Sequence, residues 1–176
     1  MTPSLLSRCA ISTLLTLWAA HGTAHDGTVN VTGRIVDKTC VVSADSTTQL
    51  VTFGNVSSKT FSRSGEGSRY EPFTINLEKC GAGASNVSVT FSGNADGRNP
   101  ALLALTPAPG SATGMAIALY DSKKNQLPLS QAGGSTDLSP AQASVALLFY
   151  ARYLANGEPV SSGTANASAT FMLTYA

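Results

Sequence analysis

Period-two alternation of apolar and polar residues, clusters of turn-forming residues between the alternating runs, and two cysteines at Cys40 and Cys80 predict an all-β fold, an immunoglobulin-like sandwich. The first alternating run is Gly27 to Val36. In it Val29, Val31, Gly33 and Ile35 share one face of an extended strand, and Thr28, Asn30, Thr32 and Arg34 share the other. No turn signal follows that would fold this strand back onto a neighbour.

After Asp37-Lys38-Thr39, Cys40 to Val42 reads as a strand, followed by a polar loop to Leu50. Leu50 to Phe53 is a short strand candidate, and Asn55 to Tyr70 is a loop rich in Ser and Gly. Phe73, Ile75 and Leu77 then alternate with Thr74, Asn76 and Glu78 up to Cys80, which predicts a strand. Gly81 to Ser85 breaks it. Val87, Val89 and Phe91 alternate with Ser88, Thr90 and Ser92 in the next one.

Asn94 to Pro100 is a turn, and Ala101 to Leu105 is an apolar run whose type periodicity does not decide. Pro107, Pro109 and Gly110 exclude regular structure where they stand. Met115, Ile117 and Leu119 alternate with Ala116, Ala118 and Tyr120, and Asp121 to Asn125 turns the chain toward Leu127 and Leu129, a hairpin. Ser144 to Tyr153 is the most apolar segment. Its aromatic and β-branched content favours a central strand over a helix. Asn156 to Pro159 is turn chemistry, Ser161 to Gly163 is a polar loop, and Ala165 to Tyr175 alternates to within one residue of the end.

Residues 1–24 read as a secretory signal peptide: Arg8 supplies the positive start, Ile11 to Ala20 the apolar core, and Gly22-Thr23-Ala24 the small residues for cleavage. That core is about half the roughly 20 residues a membrane span needs, so no direct membrane anchor is expected. Cleavage after Ala24 takes 24 of the 176 residues and leaves 152, room for one domain with a core. Arg8 and Cys9 leave with it. Ten basic and ten acidic residues remain, so there is no basic field for nucleic acid. In an exported, oxidising setting the remaining pair, Cys40 and Cys80, is expected as a disulfide. Closing a loop of that length is worth about 4 kcal/mol in the chain-entropy description.

Catalytic chemistry finds little support. The mature chain keeps one histidine, His25 at its start, which leaves a core Ser-His-Asp or Cys-His arrangement without its base. With both cysteines assigned, no zinc cluster is expected. Asn94-Ala95-Asp96-Gly97 resembles part of a calcium loop, but aligning Gly97 to the sixth position puts Leu103 where the twelfth-position carboxylate belongs. It reads as a turn. Glu71 and Glu78 remain a pair that could meet in space as a glycosidase-like dyad. No enzyme activity, cofactor or metal is expected.

Together the residues resemble the minor pilins of chaperone-usher fimbriae, and most closely the small tip-adaptor subunits of type 1 pili. The resembling pieces are Val29-x-Val31-x-Gly33-x-Ile35-Val36, Pro72 to Leu77 leading to Cys80, Phe91-Ser92-Gly93-x-Ala95-Asp96, Leu102 to Leu105, Phe149 to Arg152, and Ala167-x-Ala169-Thr170-Phe171-x-Leu173-x-Tyr175. The resemblance implies an incomplete sandwich lacking its last strand, with a hydrophobic groove beside the C-terminal strand. It implies that residues 25–36 are a donor extension ahead of a pilin domain at 37–176. In that extension Val29, Val31 and Ile35 fill a neighbour's groove, and Gly33 sits where the groove is too shallow for a side chain. Phe171, Leu173 and Tyr175 match the motif that lines the groove and takes part in chaperone recognition. The implied partners are a periplasmic pilus chaperone, an outer-membrane usher and neighbouring pilin subunits, on a route through the periplasm to the cell-surface fimbrium. The resemblance also leaves a rod subunit of the same fimbria as an alternative, and, further off, a carbohydrate-binding adhesin. Family adhesins carry an added N-terminal lectin domain, for which the mature length has no room.

Overall fold

The computed structural model describes residue 32, residues 39–139 and residues 142–176. The predicted signal peptide and the predicted donor face Val29, Val31, Gly33 and Ile35 lie outside the described residues. The fold below is that of the unit Ile35–Ala176.

Eight described strands form two antiparallel sheets. They are β1 (Val41–Val42), β2 (Glu71–Glu78), β3 (Asn86–Gly93), β4 (Met115–Tyr120), β5 (Gln126–Leu127), β6 (Thr136–Asp137), β7 (Ser144–Ala155) and β8 (Ala169–Tyr175). One sheet has the order β1-β2-β7-β4-β5, the other β6-β3-β8. The predicted central strand is central: β7 pairs from Ser144 to Ala151 with β2 and from Tyr150 to Ala155 with β4. Alternation puts Leu147, Phe149, Ala151 and Tyr153 of β7 inside and leaves Leu148 exposed.

Between the sheets, Ile75, Leu77, Leu119 and Leu147 from one face Val87, Val89 and Phe91 from the other, all buried. The inner aromatics join the layers. Phe149 stacks on Phe73 at 5.6 Å, and Phe91 from the opposite sheet meets Phe149 edge-on at 5.2 Å. Such pairs add about 1 kcal/mol each beyond their buried area. β4 is buried throughout because its second face, Ala116, Ala118 and Tyr120, packs beneath Leu102 and Tyr70. The undecided run at Ala101 to Leu105 is irregular, with Leu103 bridging Ile117 and Ala95.

Cys40 and Cys80 form the expected disulfide, closing the β1-β2 end of the larger sheet. Two sequence expectations are corrected, and one strand was not foreseen. Leu50 to Phe53 belongs to no ladder among the described residues. Its alternation is real, with Val51 and Phe53 turned toward the core and Leu50 88% exposed, but no described strand lies alongside to pair with it. The last strand begins at Ala169, not Ala165, because its partner β3 ends at Gly93, which pairs with Ala169. The short β6 has no sequence signature; Thr136 and Asp137 are both exposed and become a strand only by pairing with Val87 and Asn86.

Candidate functional site: an uncharged cleft beside the last strand

β8 is an edge. It pairs with β3 on one side, from Val87 against Tyr175 to Gly93 against Ala169, and with no described strand on the other. An antiparallel edge of this length leaves roughly three N–H and three C=O groups facing outward. Phe171, Leu173 and Tyr175 sit on its inner face opposite Phe91, Val89 and Val87, yet all three are only half-buried. A core strand of this composition is normally covered on that flank.

A cleft of about 1320 Å³ opens there. One wall is residues 47–56, where the expected strand fails to pair, and the other is residues 161–171. Its floor is the sandwich core itself: Phe73, Ile75, Phe91, Ile117 and Tyr153. Phe171 lines the cleft; Leu173 and Tyr175 continue the same face of β8 beyond its lining. Tyr153 is the pivot of the floor. Its hydroxyl donates to the Ala165 carbonyl in one wall, and its ring lies 4.3 Å from that of Phe53 in the other. Burial raises its pKa above the ordinary 10.0.

The C-terminus is tied down beside this edge. Ala176 exchanges backbone hydrogen bonds with Asn86, and its carbonyl also accepts from Ser85. Tyr175 donates from its hydroxyl to the Cys40 carbonyl at 3.3 Å, so the disulfide end of the larger sheet braces the end of β8. Burial raises the Tyr175 pKa as well.

The chemistry open to this cleft is narrow. No Asp, Glu, Lys, Arg or His is among the described residues that line it, so those residues bring no carboxylate, imidazole or ionic anchor. What it offers is apolar surface below and Ser, Thr and Asn at the rims. The alternative dyad does not form: Glu71 and Glu78 stand at opposite ends of β2, seven residues or about 23 Å apart and on opposite faces. Glu71 instead pairs with Arg69. Asp96, the carboxylate of the calcium-like fragment, accepts from the backbone N–H groups of Arg98 and Asn99 and from the Asn156 amide, which is a turn.

An open sandwich with an apolar slot where a further strand would lie is the architecture of a pilin. The family model for fimbrial proteins matches residues 29–176. The chain belongs to this family. An uncharacterized fimbrial-like protein of Escherichia coli K12, YcbV, is 42% identical over 158 residues, covering 90% of this chain and 91% of the relative. The probable major fimbrial subunit LpfA of Escherichia coli O157:H7 is 37% identical over 161 residues, covering 91% and 88%. Among solved structures, a chaperone-usher pilus studied for rod uncoiling superposes with a TM-score of 0.65 at 25% identity, covering 85% of this chain and 95% of that one. As a member of this family the chain is a structural fimbrial subunit, part of a fibre displayed on the cell surface in which pilins meet neighbouring pilins.

Of the β8 residues that sequence reasoning singled out, Phe171 lines the cleft and Leu173 and Tyr175 do not; Tyr153 and the 47–56 wall were missed. The signal for the wall was present, as the alternation at Leu50 to Phe53. What it borders could be read only once the strands were paired.

Proposed function

We propose that this fimbrial subunit is assembled by donor-strand exchange: its cleft accepts an extended strand from a partner, and its own residues 25–36 supply one to the next subunit. The observation that carries the reading is the uncharged cleft flanked by the unpaired edge of β8. A strand laid there meets both an apolar floor for alternate side chains and a row of β8 backbone groups that pair with no described strand. Val29, Val31 and Ile35 are the side chains of matching type in this sequence, each worth roughly 1.5–3 kcal/mol on burial. Gly33 stands among them where a shallow point needs no side chain.

On this reading residues 1–24 direct export and are removed, and residues 37–176 are the pilin domain. A periplasmic pilus chaperone fills the cleft first, with Phe171, Leu173 and Tyr175 in its contact, and the incoming subunit replaces it at an outer-membrane usher. The finished fibre serves adhesion, and the subunit itself has no catalytic role. Deleting residues 25–36 tests the mechanism. The shortened chain is expected to co-purify with its chaperone and be absent from sheared fibres; normal incorporation overturns the reading.

The position proposed within the fibre is that of a small tip adaptor, on the local likeness from Pro72 to Leu77 and Phe149 to Arg152. A rod subunit is the second reading, favoured by the likeness to a probable major subunit. Immunogold labelling decides between them: one or a few grains at the fibre end fit the adaptor, and decoration along the fibre fits the rod.

A further inference from the structure

The outer face of the five-stranded sheet carries an arrangement that the cleft does not use. Even-numbered residues of β2 and β7 form four cross-strand rows on this face, and beyond one end Arg152 lies beside Tyr70. Then come Tyr150 opposite Pro72, Leu148 opposite Thr74 and Ala146 opposite Asn76, with Ser144 opposite Glu78 at the other end. At two residues per row the face is about 26 Å long.

One end is cationic. The Arg152 guanidinium lies 4.8 Å from the centroid of the Tyr70 ring, and the Lys124 ammonium lies 4.8 Å from the same centroid and 5.7 Å from that of Tyr150. The two charges are therefore no more than 9.6 Å apart. Neither has an ion-pair partner among the described residues, and the Arg152 Nε–H is buried with no acceptor. The nearby Asp121 carboxylate is taken up by its own hairpin turn, accepting from the Lys123 and Asn125 backbone and the Asn125 amide. At the other end Glu78 has no ion-pair partner among the described residues either. Midway stands Leu148, one of four exposed large apolar side chains among the described residues, 38% exposed.

This pattern is its own complement. Leu148 is four residues from Arg152 and four from Ser144, the residue opposite Glu78, so a two-fold axis at the Leu148 row lays each end of the face over the other end of a second copy. We propose that two copies of this chain pair antiparallel through this face, with the Leu148 side chains in contact at the axis and Glu78 of each copy against Lys124 and Arg152 of the second copy. The face has the composition of a protein contact, with two half-buried tyrosines, Tyr70 and Tyr150, an arginine and an exposed leucine. The pairing does not use the cleft, so it stands whether or not the donor-strand reading does.

Cysteine cross-linking in cells producing the full chain tests it, read in whole-cell extract so that assembled and unassembled subunits both count. Leu148→Cys treated with a short bifunctional thiol reagent is expected to give a species of twice the subunit mass. Met172→Cys, on the other sheet and 61% exposed, is expected to give none. Adding Glu78→Lys or Lys124→Glu to Leu148→Cys should cut the dimer roughly tenfold or more by placing like charges together. The two changes combined should restore it. No dimer at Leu148, an equal yield at Met172, a product of any other mass, or a dimer indifferent to the charge changes overturns the proposal.

Discussion

The Tyr153 hydroxyl donates a 2.6 Å hydrogen bond to the Ala165 carbonyl, twelve residues further along the chain, and so fastens a wall of the cleft to the central strand. The bond ties the 161–171 wall to the floor of the cleft beside the last strand. Tyr153→Phe keeps the ring against Phe53 and loses only this tie, and should lower stability by about 1 kcal/mol in equilibrium denaturation of the purified subunit. No loss would mean that the wall is held by other contacts.

Stability should fall at alkaline pH. Burial raises the pKa values of Tyr120, Tyr153 and Tyr175 above the ordinary 10.0. Above that pH the unfolded chain releases these protons while the folded chain retains them. The stabilisation is therefore complete below pH 10 and lost as pH rises through and beyond it. Denaturation midpoints measured from about pH 8 to 11 should show the decline, and Tyr153→Phe should show a shallower one.

Gly114 has φ +76, and a Cβ there would lie 2.4 Å from the Pro159 carbonyl oxygen. Neither the backbone conformation nor the contact tolerates a side chain. Gly114→Ala should cost about 2 kcal/mol or more. Gly134, with nothing within 4 Å of the same position, serves as the comparison. Gly134→Ala should be neutral or stabilising by up to about 1 kcal/mol.

Gly33→Leu probes the donor reading at its most sensitive position. The variant is expected to fold with its chaperone and remain there, absent from fibres, because on that reading the larger side chain meets a shallow point of the neighbour's cleft. Efficient incorporation, measured by immunoblotting sheared fibres, would show that Gly33 does not face the cleft.

The strands that alternation announces most clearly, Phe73 to Leu77, Val87 to Phe91, Met115 to Tyr120 and Ser144 to Tyr153, all form, because which face of a strand is apolar is written in neighbouring residues. The disulfide was legible for a similar reason, since only two cysteines remain after Cys9. Pairing was not. Leu50 to Phe53 and Ala165 to Ser168 alternate as strands do, yet neither joins a described ladder, because a strand also needs a partner and partners come from distant parts of the chain. Val87 meets Tyr175 across 88 positions, and Tyr153 becomes the floor of a cleft only when residues 47–56 and 161–171 are brought to either side of it. The sequence by itself determined which side chains face inward. The tertiary structure decided where the inward face stays uncovered, and that gap is the site.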